Sequence, residues 1–150
     1  MHIVLVEPEI PQNTGNIARL CALTESELHL VGRLGFSINN YYLRRAGLDY
    51  WECLKVSYHQ SLQELIESVE PKQFFYVSTK AKRLYTQVKY RWEDYLIFGS
   101  ETKGLPVELI RLNPETAIKI PMWGLKPRSL NLSNAAAIIL YEALRQIKEF

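Results

Sequence analysis

Three polar stretches of the chain carry the side chains best suited to bind and transform a ligand. They read EPEIPQNTGN over residues 7–16, GSETKG over residues 99–104 and PMWGLKPRSLNLSN over residues 121–134, and Arg19 closely follows the first. Carboxylates, amides and hydroxyls can orient a polar substrate and move its protons, and glycine lets a backbone approach it closely. Each stretch alone also fits ordinary turn chemistry, in which glycine, proline, asparagine and serine shape loops and cap helices.

Each stretch directly follows an apolar run of strand length. Continuous apolar runs that alternate with segments of helical period predict an α/β fold, a mostly parallel sheet with helices on both faces. Ligands of such sheets bind beyond the carboxyl ends of the strands, so we expect the three stretches to meet there in one site. The six runs that predict strands are Ile3–Val6, Leu28–Val31, Leu54–Val56, Phe74–Ser78, Tyr95–Phe98 and Ala117–Ile120.

Four segments of helical character separate these runs. The clearest begins at the capping box SLQE of residues 61–64, continues through apolar residues at helical spacing and ends before Pro71. The others are predicted over Thr14–Leu23, from Pro106 through Ile110, and from about Ser133 to Lys148. The length of 150 residues, with no repeat, linker or low-complexity tract, predicts one domain over residues 1–150.

Basic residues are unevenly placed, although the chain has 18 Lys+Arg against 16 Asp+Glu and a net charge of only +2. A polyanion must therefore be held by a local patch. Residues 80–91 hold five basic side chains, no acidic one, and Tyr85 and Tyr90, which suits RNA because cations contact phosphates and aromatic rings stack on unpaired bases. A solvated, partly mobile loop is the alternative. The basic residues proposed to contact RNA are Lys80, Lys82, Arg83, Arg44, Arg45, Lys126 and Arg128.

Several common kinds of site have no signature in the sequence. The motifs G-x-G-x-x-G, G-x-x-x-x-G-K-[ST] and G-x-S-x-G do not occur, which argues against a Rossmann dinucleotide site, a P-loop NTPase and an α/β-hydrolase. The histidines His2, His29 and His59 are scattered near predicted strands and are interpreted as structural. Cys21 and Cys53 have no zinc-ligand spacing, so we expect no metal. Two cysteines, no leader-like segment and no run long enough to span a membrane predict a cytoplasmic protein.

Taken together, the stretches resemble the three motifs of SPOUT-class RNA methyltransferases. The greatest similarity is to the TrmL-like (YibK-like) tRNA 2′-O-methyltransferases of the wobble nucleotide, and it covers essentially the whole chain. The similar segments are PEIPQNTGNIAR at residues 8–19, LGF at 34–36, RRAGLDY at 44–50, FGSETKG at 98–104, IPM at 120–122 and RSLNLSN at 128–134.

This resemblance implies a SPOUT fold with a C-terminal trefoil knot and S-adenosylmethionine as the cofactor. It also implies an obligate homodimer and tRNA as the partner, with no membrane and no metal. Apolar stripes on the predicted terminal and 14–23 helices are suited to packing across a two-fold axis. The residues expected to hold the cofactor are Val77, Ser78, Gly99, Ile120, Met122, Ser129, Leu130 and Asn134.

By the same resemblance, the catalytic residues converge on a ribose. A guanidinium stays protonated, so we expect Arg19 to hold a phosphate or the 2′-hydroxyl in place rather than to act as a base. Glu101 is expected to fix Arg19 or a donor on the ligand, and Tyr141 either stacks on the target base or packs internally. The catalytic residues implied are Arg19, Asn13, Glu101, Ser129 and Asn131, the two asparagines serving as neutral orienting groups.

The function implied is S-adenosylmethionine-dependent 2′-O-methylation of the wobble ribose, of a cytidine or a modified uridine, in tRNA. Such a transfer needs no metal, because the sulfonium already activates the methyl group and the protein has only to position the oxygen. Two alternatives stay open. One is 2′-O-methylation of rRNA by the same mechanism, and the other is a non-catalytic RNA-binding or ribosome-assembly factor on the same fold.

Overall fold

Parallel strands form a sheet through the centre of the molecule. The computed structural model describes residues 1–39, 41, 43, 45, 51, 53–70, 73–125 and 128–150, and within this part the sheet has seven strands. Their order is β3-β2-β1-β6-β4-β7-β5, and every neighbouring pair is parallel. The strands are β1 His2–Val6, β2 Glu27–Val31, β3 Val56–His59, β4 Phe74–Val77, β5 Arg83–Leu84, β6 Tyr95–Phe98 and β7 Ala117–Lys119.

Helices cover both faces of this sheet, which confirms the predicted α/β class. They are α1 Pro11–Leu23, α2 Leu62–Ser68, α3 Val107–Leu112 and α4 Leu132–Lys148, with a 3-10 turn at Tyr85–Gln87. α1 and α4 pack against one another over the face that buries Leu5 and Phe98. α2 and α3 lie on the opposite face, where Val4 is buried, because successive strand residues point to opposite sides. No helix in the described part is long and apolar enough to cross a membrane.

Local sequence explains where the helices begin. Pro11 lies in the first turn of α1, where its fixed φ is tolerated best, so this helix starts three residues before the predicted Thr14. Ser61 caps α2, because its Oγ accepts a hydrogen bond from the Glu64 N–H at 3.1 Å. The Glu64 carboxylate in turn accepts from the N–H of Gln60, one residue earlier than a standard capping box would have it.

One predicted strand had the wrong bounds, and one strand of the sheet was not predicted. The predicted strand Leu54–Val56 lies too early, since β3 begins at Val56 and carries the half-exposed Tyr58 and polar neighbours. β3 is the end strand of the described sheet, so one of its faces need not be apolar and a search for continuous apolar runs misses it. The two-residue strand β5 was not predicted, because Arg83 and Leu84 give too short a pattern to recognise.

Cys21 packs inside the core between α1 and the sheet. It is fully buried, and this burial raises the pKa of its thiol to about 12. Because the thiolate is the reactive form, Cys21 is inert and acts as a small apolar side chain. Cys53 is exposed.

Candidate active site

A cavity of about 500 Å³ opens at the carboxyl ends of the central strands. Its walls come from the start of α1, from residues 77–80 at the end of β4, and from residues 98–105 at the end of β6. Residues 120, 122, 129–132 and 135, between β7 and the first turn of α4, complete them. β1, β6, β4 and β7 are consecutive in the sheet, so the loops that follow them lie side by side. All three polar stretches therefore contribute to one cavity, as the sequence predicted.

Two carboxylates join the first stretch to the second. Glu101 accepts hydrogen bonds from the backbone N–H groups of Glu9 at 2.8 Å and Ile10 at 3.0 Å. Glu9 reciprocates, because its carboxylate accepts from the backbone N–H of Thr102 at 3.2 Å and from the Thr102 hydroxyl at 2.8 Å. Charge-assisted bonds of this kind are stronger than neutral ones. The two loops, about ninety residues apart in sequence, are thus held as one unit.

A pair of asparagines extends this junction to the third stretch. Asn13 is buried, and its Nδ2 donates to Glu101 Oε1 at 3.1 Å while its Oδ1 accepts from Asn131 Nδ2 at 2.9 Å. Asn131 also caps α4, since its Oδ1 accepts from the N–H of Ser133 at 2.9 Å and from the Ser133 hydroxyl at 2.7 Å. The path Glu101–Asn13–Asn131 therefore links all three stretches to the N-terminus of a long helix.

The second stretch is a tight loop that only glycine allows at its start. A Cβ added to Gly99 would lie 2.1 Å from the carbonyl carbon of Gly104 and 2.3 Å from the backbone nitrogen of Leu105. Gly104 has φ +66°, which suits a residue without a side chain, and it forms an antiparallel bridge with Ser100. The loop thus folds back on itself and presents its backbone to the cavity.

Most of the residues predicted to serve the site line this cavity. Of the predicted catalytic set, Asn13, Glu101, Ser129 and Asn131 do so. Of the predicted cofactor set, Asn134 is not among the lining residues, and the others are Val77, Ser78, Gly99, Ile120, Met122, Ser129 and Leu130. This placement shows which residues come together, and their individual roles stay predictions.

Arg19 and Tyr141 lie apart from the cavity wall of their own chain. Arg19 is exposed on α1, on the same side as the exposed Leu23. Tyr141 is 49% exposed on α4, one helical turn from the exposed Ile138. The two helices pack side by side, so these residues belong to the outer surface of one helical layer.

The basic segment 80–91 contains the short strand β5 and the 3-10 turn, and of its residues Lys80 lines the cavity. Tyr90 is buried and its hydroxyl donates to the Tyr85 carbonyl at 2.6 Å, and burial raises the pKa of that hydroxyl. The expectation that Tyr90 stacks on RNA bases is therefore wrong, because its ring packs against Phe75 at 4.8 Å between centroids. Arg83 donates to the carboxylate of Glu115 at 3.1 Å and to its carbonyl at 2.9 Å.

Among the predicted RNA contacts, Lys80 lines the cavity. Lys82, Arg128 and Arg45 are exposed without lining it. Arg44 and Lys126 lie outside the described residues.

Sequence reasoning missed the reciprocal bond between Glu9 and Thr102. Both residues lie inside the polar stretches, yet only their contact in the structure shows that they help to join two of the loops. Glu9 follows β1 and Thr102 follows β6, so the sequence places each residue after a strand. It does not show that these two strands are neighbours, because that depends on the strand order.

We expect Glu101→Gln to weaken the junction of the three stretches. A glutamine amide would turn an NH₂ group toward one of the N–H donors that now point at the carboxylate, and the loss of one such partly exposed hydrogen bond costs about 0.5–1.5 kcal/mol. The free energy of unfolding, measured by denaturant titration, is expected to fall by about that amount. Glu108→Gln is the control, because Glu108 forms only an exposed pair with Arg111. Equal stability of the two variants would contradict the role given to Glu101.

Comparison with known proteins agrees with this geometry. The model of the SpoU rRNA Methylase family matches residues 1–141. The tRNA (cytidine(34)-2'-O)-methyltransferase of Escherichia coli (strain K12) is 46% identical over 148 residues, which cover 98% of this chain and 94% of that protein. A solved structure described as "Structural insights into the 2-OH methylation of C/U34 on tRNA" is 41% identical, with a TM-score of 0.93 and coverage of 99% of this chain and 97% of that one.

A more distant solved structure has the same fold with a ligand bound. It is an AdoMet-bound rRNA methyltransferase from Sinorhizobium meliloti, 26% identical, with a TM-score of 0.84 and coverage of 96% of this chain and 55% of that one. The family model matches nearly the whole chain, and the identity to the Escherichia coli protein extends over nearly the full length of both chains. This chain belongs to the SpoU rRNA methylase family.

Proposed function

We propose that the protein transfers a methyl group from S-adenosylmethionine to the 2′-hydroxyl of the wobble ribose, of a cytidine or a modified uridine, in tRNA. One observation carries the proposal: the three motif stretches converge on a single cavity, joined by the Glu101–Asn13–Asn131 path. Similarity over nearly the full chain to the Escherichia coli protein named for methylation at cytidine 34 supports the choice of substrate.

The cavity has the composition needed for the cofactor. Its volume of about 500 Å³ suits a ligand of nucleoside size, and its walls combine backbone groups of the 98–105 loop with apolar Ile120, Met122 and Leu130. Met122 and Leu130 are 42% and 40% exposed, which is apolar surface that a bound adenosine would cover. S-adenosylmethionine, when bound, would supply an electrophilic methyl group: the S–CH₃ bond breaks as the O–CH₃ bond forms, S-adenosylhomocysteine is the leaving group, and the hydroxyl proton passes to water. Val77, Ser78, Gly99, Ile120, Met122, Ser129 and Leu130 would hold it, and Asn134 would assist from the first turn of α4.

The remaining chemistry is positioning by this chain's own residues. Asn13 and Asn131 are fixed by their mutual hydrogen bond, so their polar edges stay rigid beside the cavity. The Ser129 hydroxyl and the Asn131 amide orient the ribose, and Glu101 keeps the three loops in register. Arg19 contacts a backbone phosphate or the 2′-hydroxyl and holds the nucleophilic oxygen in line for attack. Tyr141 supplies a ring on which the target base can stack.

We also propose that the chain acts as a homodimer with a C-terminal trefoil knot. Arg19 lies off the cavity wall of its own chain, and the helical layer around it exposes Leu23, Ile138 and Tyr141. Burying that layer against a second copy removes apolar surface from water and brings Arg19 toward the other copy's cavity. The knot is proposed from membership of the family together with the sequence resemblance in the segments after β6.

Methyl transfer is tested by incubating the purified protein with methyl-labelled S-adenosylmethionine and bulk tRNA. We expect label in a 2′-O-methylated nucleoside at position 34, found after nuclease digestion and mapping. Ribosomal RNA in a parallel reaction serves as the alternative substrate. Label only in base methyl groups, or only in rRNA, would overturn the proposal, and cofactor binding without turnover on either RNA would favour a non-catalytic RNA-binding protein.

A further inference from the structure

A cluster of two histidines and a glutamate lies at the edge of the sheet opposite to the active-site cavity. His2 opens β1 and Glu27 opens β2, and the two residues are paired in register. His29 lies two residues after Glu27 on the same strand, so strand alternation places its side chain on the same face. His2 is 25 residues before Glu27 and lies on another strand, so the sequence spacing does not indicate that it joins Glu27 and His29.

The donor atoms of this cluster already face one another. His2 Nδ1 lies 3.1 Å from His29 Nε2 and 3.6 Å from Glu27 Oε2. One ligand atom from each of the three residues falls within 4.8 Å of the other two. His2 also stacks on Tyr95, with ring centroids 4.2 Å apart and planes 7° from parallel, which fixes the orientation of the imidazole.

We propose that His2, Glu27 and His29 bind a divalent first-row transition-metal ion of the Zn²⁺ type. With metal–ligand bonds of about 2.0–2.1 Å, the two nitrogens 3.1 Å apart would subtend about 100° at the ion, and the His2–Glu27 pair 3.6 Å apart about 120°. Both angles lie close to the tetrahedral value. A shift of about 1 Å of the partly exposed Glu27 carboxylate closes the triangle, and water takes the fourth position.

A second layer of residues orients these three ligands. His29 Nδ1 lies 3.1 Å from His59 Nε2, and His2 Nε2 lies 3.8 Å from Glu93 Oε2. His29 can donate its Nδ1–H to His59, and the Glu93 carboxylate, although 3.8 Å is too long for a hydrogen bond, favours a proton on the outer Nε2 of His2. In that state the two inner nitrogens meet with lone pairs only, and a cation between them satisfies both. Lys55 donates to Glu27 Oε1 at 2.6 Å and leaves Oε2 for the ion.

The ligand set also defines the kind of ion and its effect. Imidazole nitrogens with one carboxylate suit zinc and its first-row neighbours better than magnesium or calcium, which prefer oxygen alone. His29 is buried and the side chain of Glu27 is 30% exposed, so an ion enters from the Glu27 side. An ion bound there would hold the first residues of β1 and β2 together, at the edge of the sheet opposite to the cavity.

Isothermal titration of the chelator-treated full-length protein with Zn²⁺ tests the site. The parent is Cys53→Ser, which removes the exposed thiol as a competing ligand. We expect one ion per chain, and with Co²⁺ the visible absorption bands of a tetrahedral ion. His29→Gln and Glu27→Gln, which each remove a ligand, are expected to weaken Zn²⁺ binding more than about 100-fold. His59→Gln, which removes only a neighbour that orients His29, is expected to weaken it about 10- to 100-fold.

The outcomes separate cleanly. Glu27→Gln changes a partly exposed side chain, so it keeps the test valid if the buried His29 variant fails to fold, as judged by circular dichroism. The proposal is overturned if the parent binds no Zn²⁺ below about 1 mM, a level of only about 4 kcal/mol, or if both variants bind it as tightly as the parent. In those cases the histidines form only a hydrogen-bonded pair. The rate of methyl transfer after chelation tests the proposed function separately from the metal site, because the cavity lies at the opposite edge of the sheet.

Discussion

Replacing Arg19 with alanine is expected to lower the rate of methyl transfer at least about 100-fold, the loss that follows when a reacting group is misplaced by about 1 Å. S-adenosylmethionine affinity is expected to stay within about threefold of the wild type, less than 1 kcal/mol. The two effects are expected to differ because Arg19 lies outside the cavity wall, whereas all the predicted cofactor residues except Asn134 line it. Single-turnover kinetics measures the first quantity and calorimetry the second.

Two controls sharpen this result. Arg111→Ala removes another exposed arginine, which pairs with Glu108 on α3, and it should leave the transfer rate unchanged. Arg19→Lys keeps the charge but loses the planar fork, and it should recover only a small part of the activity if a phosphate or hydroxyl is held by two donors. Loss of cofactor binding in Arg19→Ala would show that the residue belongs to the cofactor site instead.

Gly99→Ala is expected to reduce S-adenosylmethionine affinity at least about 100-fold, close to 3 kcal/mol. The added Cβ would lie 2.1 Å from a backbone carbon of Gly104 and 2.3 Å from the nitrogen of Leu105. Those are backbone atoms, so no side chain can move aside and the 98–105 loop must open. Calorimetric titration measures the loss, with circular dichroism to show that the remaining fold persists.

The matched control for this variant lies in the same loop. Gly104 has open space around the position of a Cβ, but its φ of +66° makes alanine there strained by about 1–2 kcal/mol. Gly104→Ala should therefore weaken cofactor binding by no more than about tenfold. If the two variants bind the cofactor equally well, close approach at Gly99 is not what shapes the cavity.

Together the two variants test whether the active site is shared between copies. The homodimers proposed above are expected to be inactive when both chains carry Arg19→Ala or both carry Gly99→Ala. In a mixed dimer, the intact cavity of one chain can meet the intact Arg19 of the other, so mixing after mild unfolding should restore part of the activity. No recovery, with mixed dimers shown by differently tagged chains, would place Arg19 and the cavity of the same chain together.

The positions of the functional loops followed from sequence because they depend on local rules. Apolar runs identified the central strands, and polar residues directly after β1, β6 and β7 had to lie at their carboxyl ends. Asn131 was placed by its cap of α4, a short-range preference of asparagine for a helix start. The prediction that Tyr90 contacts RNA was wrong, because a tyrosine in a basic segment gives the same sequence pattern whether its ring faces solvent or, as here, the core.

What the sequence determined by itself was therefore the α/β class, the cap of α2, the three loops that bear the chemistry and the family they resemble. Only the tertiary structure decided which of those residues touch. The strand order puts β6 between β1 and β4, and this brings Glu9 to Thr102 and Glu101 to Asn13 across about ninety residues. The pairing of β1 with β2 likewise sets His2 against Glu27 and close to His29. Local sequence preferences act over a few residues, whereas strand order and register are fixed by burial of the whole sheet, so contacts between distant loops emerge only when the complete core has formed.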